Sequence, residues 1–177
     1  HEVVTPLAAL IRDQNLPRDL FDGLITARRW DIYKEPHAHA FAFEDYIMGT
    51  SGNLMALAGL AVGMGQSDLN AAQEYGYGDG IARLFLAIPE LENMQRYPLV
   101  DGRSDSVSSL ASTALNRMKA TRFTGKAAYP ALRTAWMAQS VLKVVAKTPN
   151  AVADGDLEPT EFAKKSKLLV KSFLNRY

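Results

Sequence analysis

The chain has 177 residues, 47% of them apolar and 22% charged, which is enough for one sizeable core and too little for two ordinary domains. Lys and Arg total 20 against 19 Asp and Glu, a net charge of +1, so there is no field for gripping nucleic acid. The absence of Cys excludes disulfides, thiolate catalysis and Cys-ligated zinc or iron–sulfur centres.

Helix signals follow one another along the chain. Thr5-Pro6 reads as an N-cap with Pro in the first turn, and Leu7, Leu10 and Ile11 follow at helical spacing. Pro17 opens a second helix with Leu20, Phe21, Leu24 and Ile25 on one face, expected to end near Tyr33, ahead of Pro36. Residues 34–40 read as a loop. A third helix is predicted over 44–64. No charge occurs between Asp45 and Asp68, a run long enough for a bilayer, yet it carries Thr50, Ser51, Asn53 and Gly at 49, 52, 59, 63 and 65, and it reads as buried in protein.

A fourth helix is predicted over 69–88, stopped by Pro89. Its Gly76-Tyr77-Gly78-Asp79-Gly80 segment costs about 1 kcal/mol per Gly relative to Ala, which predicts either a neighbour that demands small residues or a kink. After a loop at 96–104, helices are predicted over 105–121 and 127–147. A polar turn at 149–158 leads to a last helix over 159–176. Strand signals are nearly absent. The expected architecture is all-α, one helical domain of six to seven helices.

Four features invite a functional reading. Gly49, Gly52, Ala56, Gly59 and Gly63 draw a stripe of small residues along the third helix, which fits either close helix packing or the wall of an apolar cavity. His37 and His39, with Glu35, Glu44 and Asp45 nearby, offer metal-ligating chemistry, against the plainer reading of two solvated loop imidazoles. Glu90 and Glu92 point to different faces, and Glu92 is spaced to pair with Arg96. The last helix sets Lys164, Lys165, Lys167 and Lys171 against Phe162, Leu168, Leu169, Phe173 and Leu174. That pattern fits a solvated surface helix, or one that docks on a membrane surface or a protein partner. The Gly76-x-Gly78-x-Gly80 pattern lacks the preceding strand and the spacing of a nucleotide loop.

Taken in order, several segments resemble the squalene/phytoene synthase family. Leu16-Pro17-Arg18-Asp19-Leu20-Phe21-Asp22-Gly23-Leu24, leading to Arg29-Trp30-Asp31, resembles the family's lead-in to its "Met-Asp" element. Glu44-Asp45-Tyr46 with Thr50-Ser51-Gly52 is similar to its "Leu-x-x-Tyr-x-x-x-Val-Ala-Gly" segment. Gly80 to Ile88 stands where the family has "Gly-x-Ala-x-Gln-Leu-Thr-Asn-Ile", and Arg96-Tyr97-Pro98-Leu99 follows. The similarity runs through residues 16–100 and more loosely to the end.

The resemblance implies an isoprenoid-synthase-like bundle with an apolar cavity, in which two prenyl diphosphates are joined head to head with magnesium held by two Asp-x-x-x-Asp motifs. Charge developing on a leaving diphosphate demands such clamped cations. It also implies Tyr46, Gly52, Asn53, Ala56, Leu84, Ala87, Ile88 and Leu91 as cavity or substrate-binding candidates, and Glu90, Glu92 and Arg96 as weaker metal or diphosphate candidates. The second acidic motif falls on Leu91 and Gln95, and the family's first acidic motif and N-terminal helices would lie upstream of His1. The resemblance places Met55 where the family has a second Gly, which would narrow a tunnel.

Two functions therefore compete. One is a family member degenerate in metal chemistry that binds an isoprenoid or other lipid or acts as an assembly factor; a non-catalytic branch linked to respiratory complex I assembly is similar in this respect. The other is an active, magnesium-dependent prenyl transferase. No other cofactor is implied. No nucleic-acid partner is expected. A cytoplasmic location, with membrane association through the basic last helix, is the expectation.

Overall fold

Short apolar faces, broken by Pro, Gly and polar turns, leave the chain few options other than helices. The computed structural model describes residues 1–33, 35–157, 161–174 and 177, and no strand occurs among them. The elements are α1 (Val4–Asp13), α2 (Arg18–Arg28), α3 (Trp30–Tyr33), α4 (Ala40–Ile47), a π-helical segment (Met48–Gly52), α5 (Asn53–Ala61), α6 (Leu69–Asn93), α7 (Ser104–Ala120), α8 (Tyr129–Leu132), α9 (Ala138–Lys147) and α10 (Glu161–Phe173). Short 3-10 turns stand before α6, between α8 and α9, and after α9. Counting α4, the π segment and α5 as one rod, the long helices among the described residues number seven.

α6 is the axis. Its 25 residues span about 37 Å at 1.5 Å per residue. Tyr75 through Ala82 are buried without interruption, so this stretch is enclosed on every side. The rod, α7 and α9 pack around it, and α7 also packs on α9.

The glycines of α6 are explained by what faces them. Gly76 and Gly80, four residues apart, share the face toward the rod. A Cβ on Gly76 would meet the Ser51 carbonyl at 2.5 Å and Met55 Cβ at 2.6 Å; one on Gly80 would meet Ser51 Cβ at 2.6 Å. Gly78 faces α7, where a Cβ would lie 3.1 Å from Met118 Cβ. The rod answers with its own small residues: a Cβ on Gly52 would lie 3.2 Å from the Gln73 carbonyl, and Ala56 is fully buried. Gly52 and Ala56 of the small-residue stripe thus form a seam with α6, with close backbone approach in place of side-chain volume, whereas Gly49 faces Ala27 of α2, Gly59 faces Met64 and Gly63 meets nothing within 4 Å.

The π segment has a local cause. The Thr50 hydroxyl donates to the Tyr46 carbonyl at 2.7 Å, occupying the acceptor that a regular turn would use. Three helices end on a left-handed residue: α1 at Asn15 (φ 47), α5 at Gly63 (φ 90) and α6 at Gln95 (φ 57). In each, the next N–H reaches back to close the last turn, as Leu16 to Ile11 O, Met64 to Gly59 O and Arg96 to Leu91 O.

Several boundaries differ from expectation. α1 starts at Val4, so Thr5-Pro6 lies inside its first turn and supplies no cap. The second helix breaks at Arg29 into α2 and α3. The rod begins at Ala40, because the His39 ring accepts the Ala42 N–H at 3.1 Å and caps it there, and it ends at Ala61. α6 passes through Pro89 to Asn93. Only one turn follows the proline, so the lost hydrogen bond falls where the ladder is about to end. The stretch 127–147 is two helices joined by a 3-10 turn at 133–135. Glu158, Pro159 and Arg176, used in the sequence-based bounds of the last turn and helix, and Lys34 of the expected loop, lie outside the described residues.

Candidate functional site

A partly enclosed cavity of about 70 Å³ forms where α3, the 35–39 loop, α4 and the second half of α6 meet the chain after α6. Trp30, His37, Phe43, Tyr46 and Tyr97 bring rings to it, Leu84 and Leu91 bring aliphatic surface, and Asp31, Glu35 and Arg96 bring charge. Its volume suits a few waters or the tip of an apolar chain.

The walls are fixed by pairing among themselves. His37 is only 8% exposed and stacks on Trp30, with ring centroids 3.9 Å apart and planes 10° from parallel. The Tyr46 and Phe43 rings lie 5.0 and 5.4 Å from His37. Burial pushes the His37 imidazolium down from its ordinary value, partly opposed by attraction to Asp31, so the ring is neutral at neutral pH. The Tyr46 hydroxyl donates to Asp31 Oδ1 at 2.8 Å. Arg28 Nη1 donates to Asp31 Oδ2 at 3.1 Å. Burial, then the bond to Asp31, raises the Tyr46 phenol to about 12. Arg96 Nη2 donates to the Asp31 carbonyl at 3.1 Å, which anchors the end of α6 to α3.

A second, open concavity of about 720 Å³ runs along α2 and the start of the rod. Gly23, Ala27, Ala42 and Gly49 line it with small groups, while Asp22, Glu35 and Asp45 bring carboxylates to it. Trp30, Glu35, His37 and Tyr46 belong to both spaces. The Trp30–His37 stack is therefore the partition between groove and cavity. The groove falls in the size range of small-molecule sites, about 300–1,000 Å³.

The residues singled out from sequence divide between two places. Tyr46, Leu84, Leu91 and Arg96 converge on the cavity. Gly52, Asn53 and Ala56 lie instead in the seam. Asn53 accepts from Gln73 Nε2 at 2.8 Å and donates to the Leu20 carbonyl at 3.3 Å, tying α2, α5 and α6 together. Ile88 is buried and Ala87 half-buried, and neither lines the cavity. Glu90 and Glu92 are exposed. Arg96 reaches Asp31, and not Glu92, because the left-handed turn at Gln95 redirects the chain.

His37 and His39 do not act together: His37 is buried against Trp30, which corrects the picture of a solvated imidazole there, while His39 is exposed and caps α4. Among the described residues no group of three His, Asp or Glu side chains is placed to hold a metal ion. The positions that the resemblance assigns to magnesium do not fit it. Leu91 has no donor atom, and Gln95 serves as the exposed left-handed stop of α6.

Trp30, Asp31 and His37 were not legible as a cluster. The only signal was the Arg28-Arg29-Trp30-Asp31 string, where a large ring and a carboxylate follow two cations.

Comparison with known families, curated proteins and solved structures finds no match to this chain.

Proposed function

We propose that this protein is a squalene/phytoene synthase-like helical domain that binds an isoprenoid or similar apolar lipid chain without transforming it, in the manner of an assembly factor or carrier. One observation carries the reading: a groove floored by Gly23, Ala27, Ala42 and Gly49 abuts an aromatic cavity, and Trp30, His37 and Tyr46 border both. Small groups along the floor leave width for a methyl-branched chain, and the rings supply flat apolar surface for its end. Asp31, Tyr46 and Arg96 beside the cavity are already hydrogen-bonded among themselves, so an apolar occupant strands none of these three.

Catalysis would need a different lining. Ionising a prenyl diphosphate calls for carboxylates that clamp divalent cations against the leaving group. At the corresponding turns of α6, Leu91 faces the cavity while Glu90 and Glu92 are exposed.

Native mass spectrometry of the purified chain, with organic extraction of any co-purified lipid, tests the binding step. The expected result is a bound prenyl or acyl lipid that Ala42→Trp, at a half-buried residue of the groove lining, excludes. A parallel assay offers farnesyl and geranylgeranyl diphosphate with magnesium, and no pyrophosphate release is expected. Magnesium-dependent turnover would replace this reading with the prenyl transferase one. A chain free of lipid that also fails to take up farnesol or geranylgeraniol would end both.

A further inference from the structure

We propose that the lipid taken by this protein ends in a neutral hydroxyl, and that the His37 imidazole recognises it. The inference rests on the lipid-binding reading above and names the head of the chain. His37 is 8% exposed, yet it borders both the groove and the cavity. Its neighbours are rings: Trp30 covers it face to face, and Tyr46 and Phe43 flank it. None of these contacts satisfies a nitrogen. Among the described residues neither Nδ1 nor Nε2 of His37 is hydrogen-bonded. The Tyr75 hydroxyl is the one fully sealed side-chain polar atom without a partner among those residues, so the His37 nitrogens open on the space beside them. A buried polar group left unpaired is costly, and a ligand that pairs it gains what the protein forgoes.

The chemistry of the ring selects the head. Burial keeps the imidazole neutral, so one nitrogen donates and the other accepts. A hydroxyl does both and meets whichever nitrogen faces it; a carboxylate or phosphate only accepts, and an ammonium only donates. Charge excludes the anions further. The two linings together hold Asp22, Asp31, Glu35 and Asp45 against the single guanidinium of Arg96, which is engaged with the Asp31 carbonyl. The carboxylates do not in turn select a cation. Asp22, Glu35 and Asp45 are exposed and already solvated, and Asp31 is held by Tyr46 and Arg28. The group whose pairing changes on binding is therefore His37.

Equilibrium dialysis of the full chain against radiolabelled farnesol, with farnesene, farnesylamine and farnesyl diphosphate as competitors, tests the assignment. The four share one chain and differ at the head. Farnesol should bind about fivefold more tightly than farnesene, the worth of one ordinary neutral hydrogen bond. Farnesylamine should bind no more tightly than farnesol. Farnesyl diphosphate should bind at least about tenfold more weakly at about 50 mM salt, and the gap should narrow at about 500 mM. His37→Phe keeps a ring against Trp30 but no nitrogen; farnesol should fall to the level of farnesene, and farnesene should be unchanged. His37→Gln, which retains a donor and an acceptor, should keep part of the preference. In the unaltered protein the His37 ring-nitrogen NMR signals should move with farnesol and not with farnesene, a readout that needs no variant to fold. Equal binding of farnesol and farnesene, or a preference that survives His37→Phe, overturns the assignment and leaves lipid binding standing. Tighter binding of farnesylamine or farnesyl diphosphate also overturns it, since charge would then choose the head. Binding of none of the four overturns the lipid reading itself, and the assignment with it.

Discussion

Replacing Gly76 by Ala tests the central seam. The added Cβ would lie 2.5 Å from the Ser51 carbonyl oxygen, 2.6 Å from Met55 Cβ and 3.0 Å from Gly52 Cα. That is close to 1 Å short of ordinary contact with the carbonyl, and two of the three neighbours are backbone atoms that no rotamer change can move. Helix propensity favours the substitution by about 1 kcal/mol. Overpacking against rigid neighbours costs about 3 kcal/mol, the upper part of the usual range, because α6 must separate from the rod along its length. The net is a loss of about 2 kcal/mol, or about 4–8 °C in unfolding temperature for a chain of this size. Thermal and urea unfolding followed by circular dichroism reads it directly. Gly102→Ala and Gly125→Ala, with no neighbour within 4 Å, serve as controls and should stay within about 0.5 kcal/mol of the parent. If Gly76→Ala were as stable as the parent, the helices would not meet as described, and the account of the small-residue stripe would fail.

Three further outcomes follow from groups already described. Arg117 Nη1 pairs with Glu44 at 2.5 Å, its Nε and Nη2 hold Glu74, and its guanidinium lies 3.9 Å over the Tyr77 ring, so Arg117→Met should cost about 2 kcal/mol in urea unfolding; no loss would show the hub to be incidental. Stability should decline as pH falls below 6.5, because the unfolded chain takes up a proton there while the native His37, with its lowered value, resists. In an NMR titration the His37 ring should change charge below 6.5, and a midpoint above it would contradict the burial argument. The Tyr75 hydroxyl is fully buried, and Gln139 approaches it without hydrogen-bonding geometry; Tyr75→Phe should therefore raise stability by about 1 kcal/mol, and an equal loss would reveal a partner.

What the residues disclosed before folding was largely local. Apolar spacing of three and four announced the helices, and the charge-free run at 46–67 with its glycines announced a segment that is buried at Ile47, Met55, Ala56, Leu57 and Leu60. Tyr46, Leu84, Leu91 and Arg96 were picked out from a motif order, and they meet around one cavity. The rest depended on distance along the chain. Arg117 lies 43 residues from Glu74 and 73 from Glu44, and Arg96 lies 65 from Asp31, so no periodicity could pair them. The helix through Pro89 was missed because a proline usually stops a helix, whereas here only a single turn remained to be built. Gln95 looked like a failed ligand; its backbone explains it better, as the residue that turns the chain toward Asp31.

The π segment at Met48–Gly52 divides the rod into two independent halves. One extra residue per turn slips the phase of everything downstream by about 100°. Upstream, Phe43 and Tyr46 are aimed at the aromatic chamber; downstream, Asn53 and Met55 are aimed at the axis helix. A straight helix of the same sequence could satisfy only one of these orientations. Mutational drift can therefore reshape the chamber for a new occupant while the load-carrying joint keeps its register, and losing a single residue from the segment would force the two to compete.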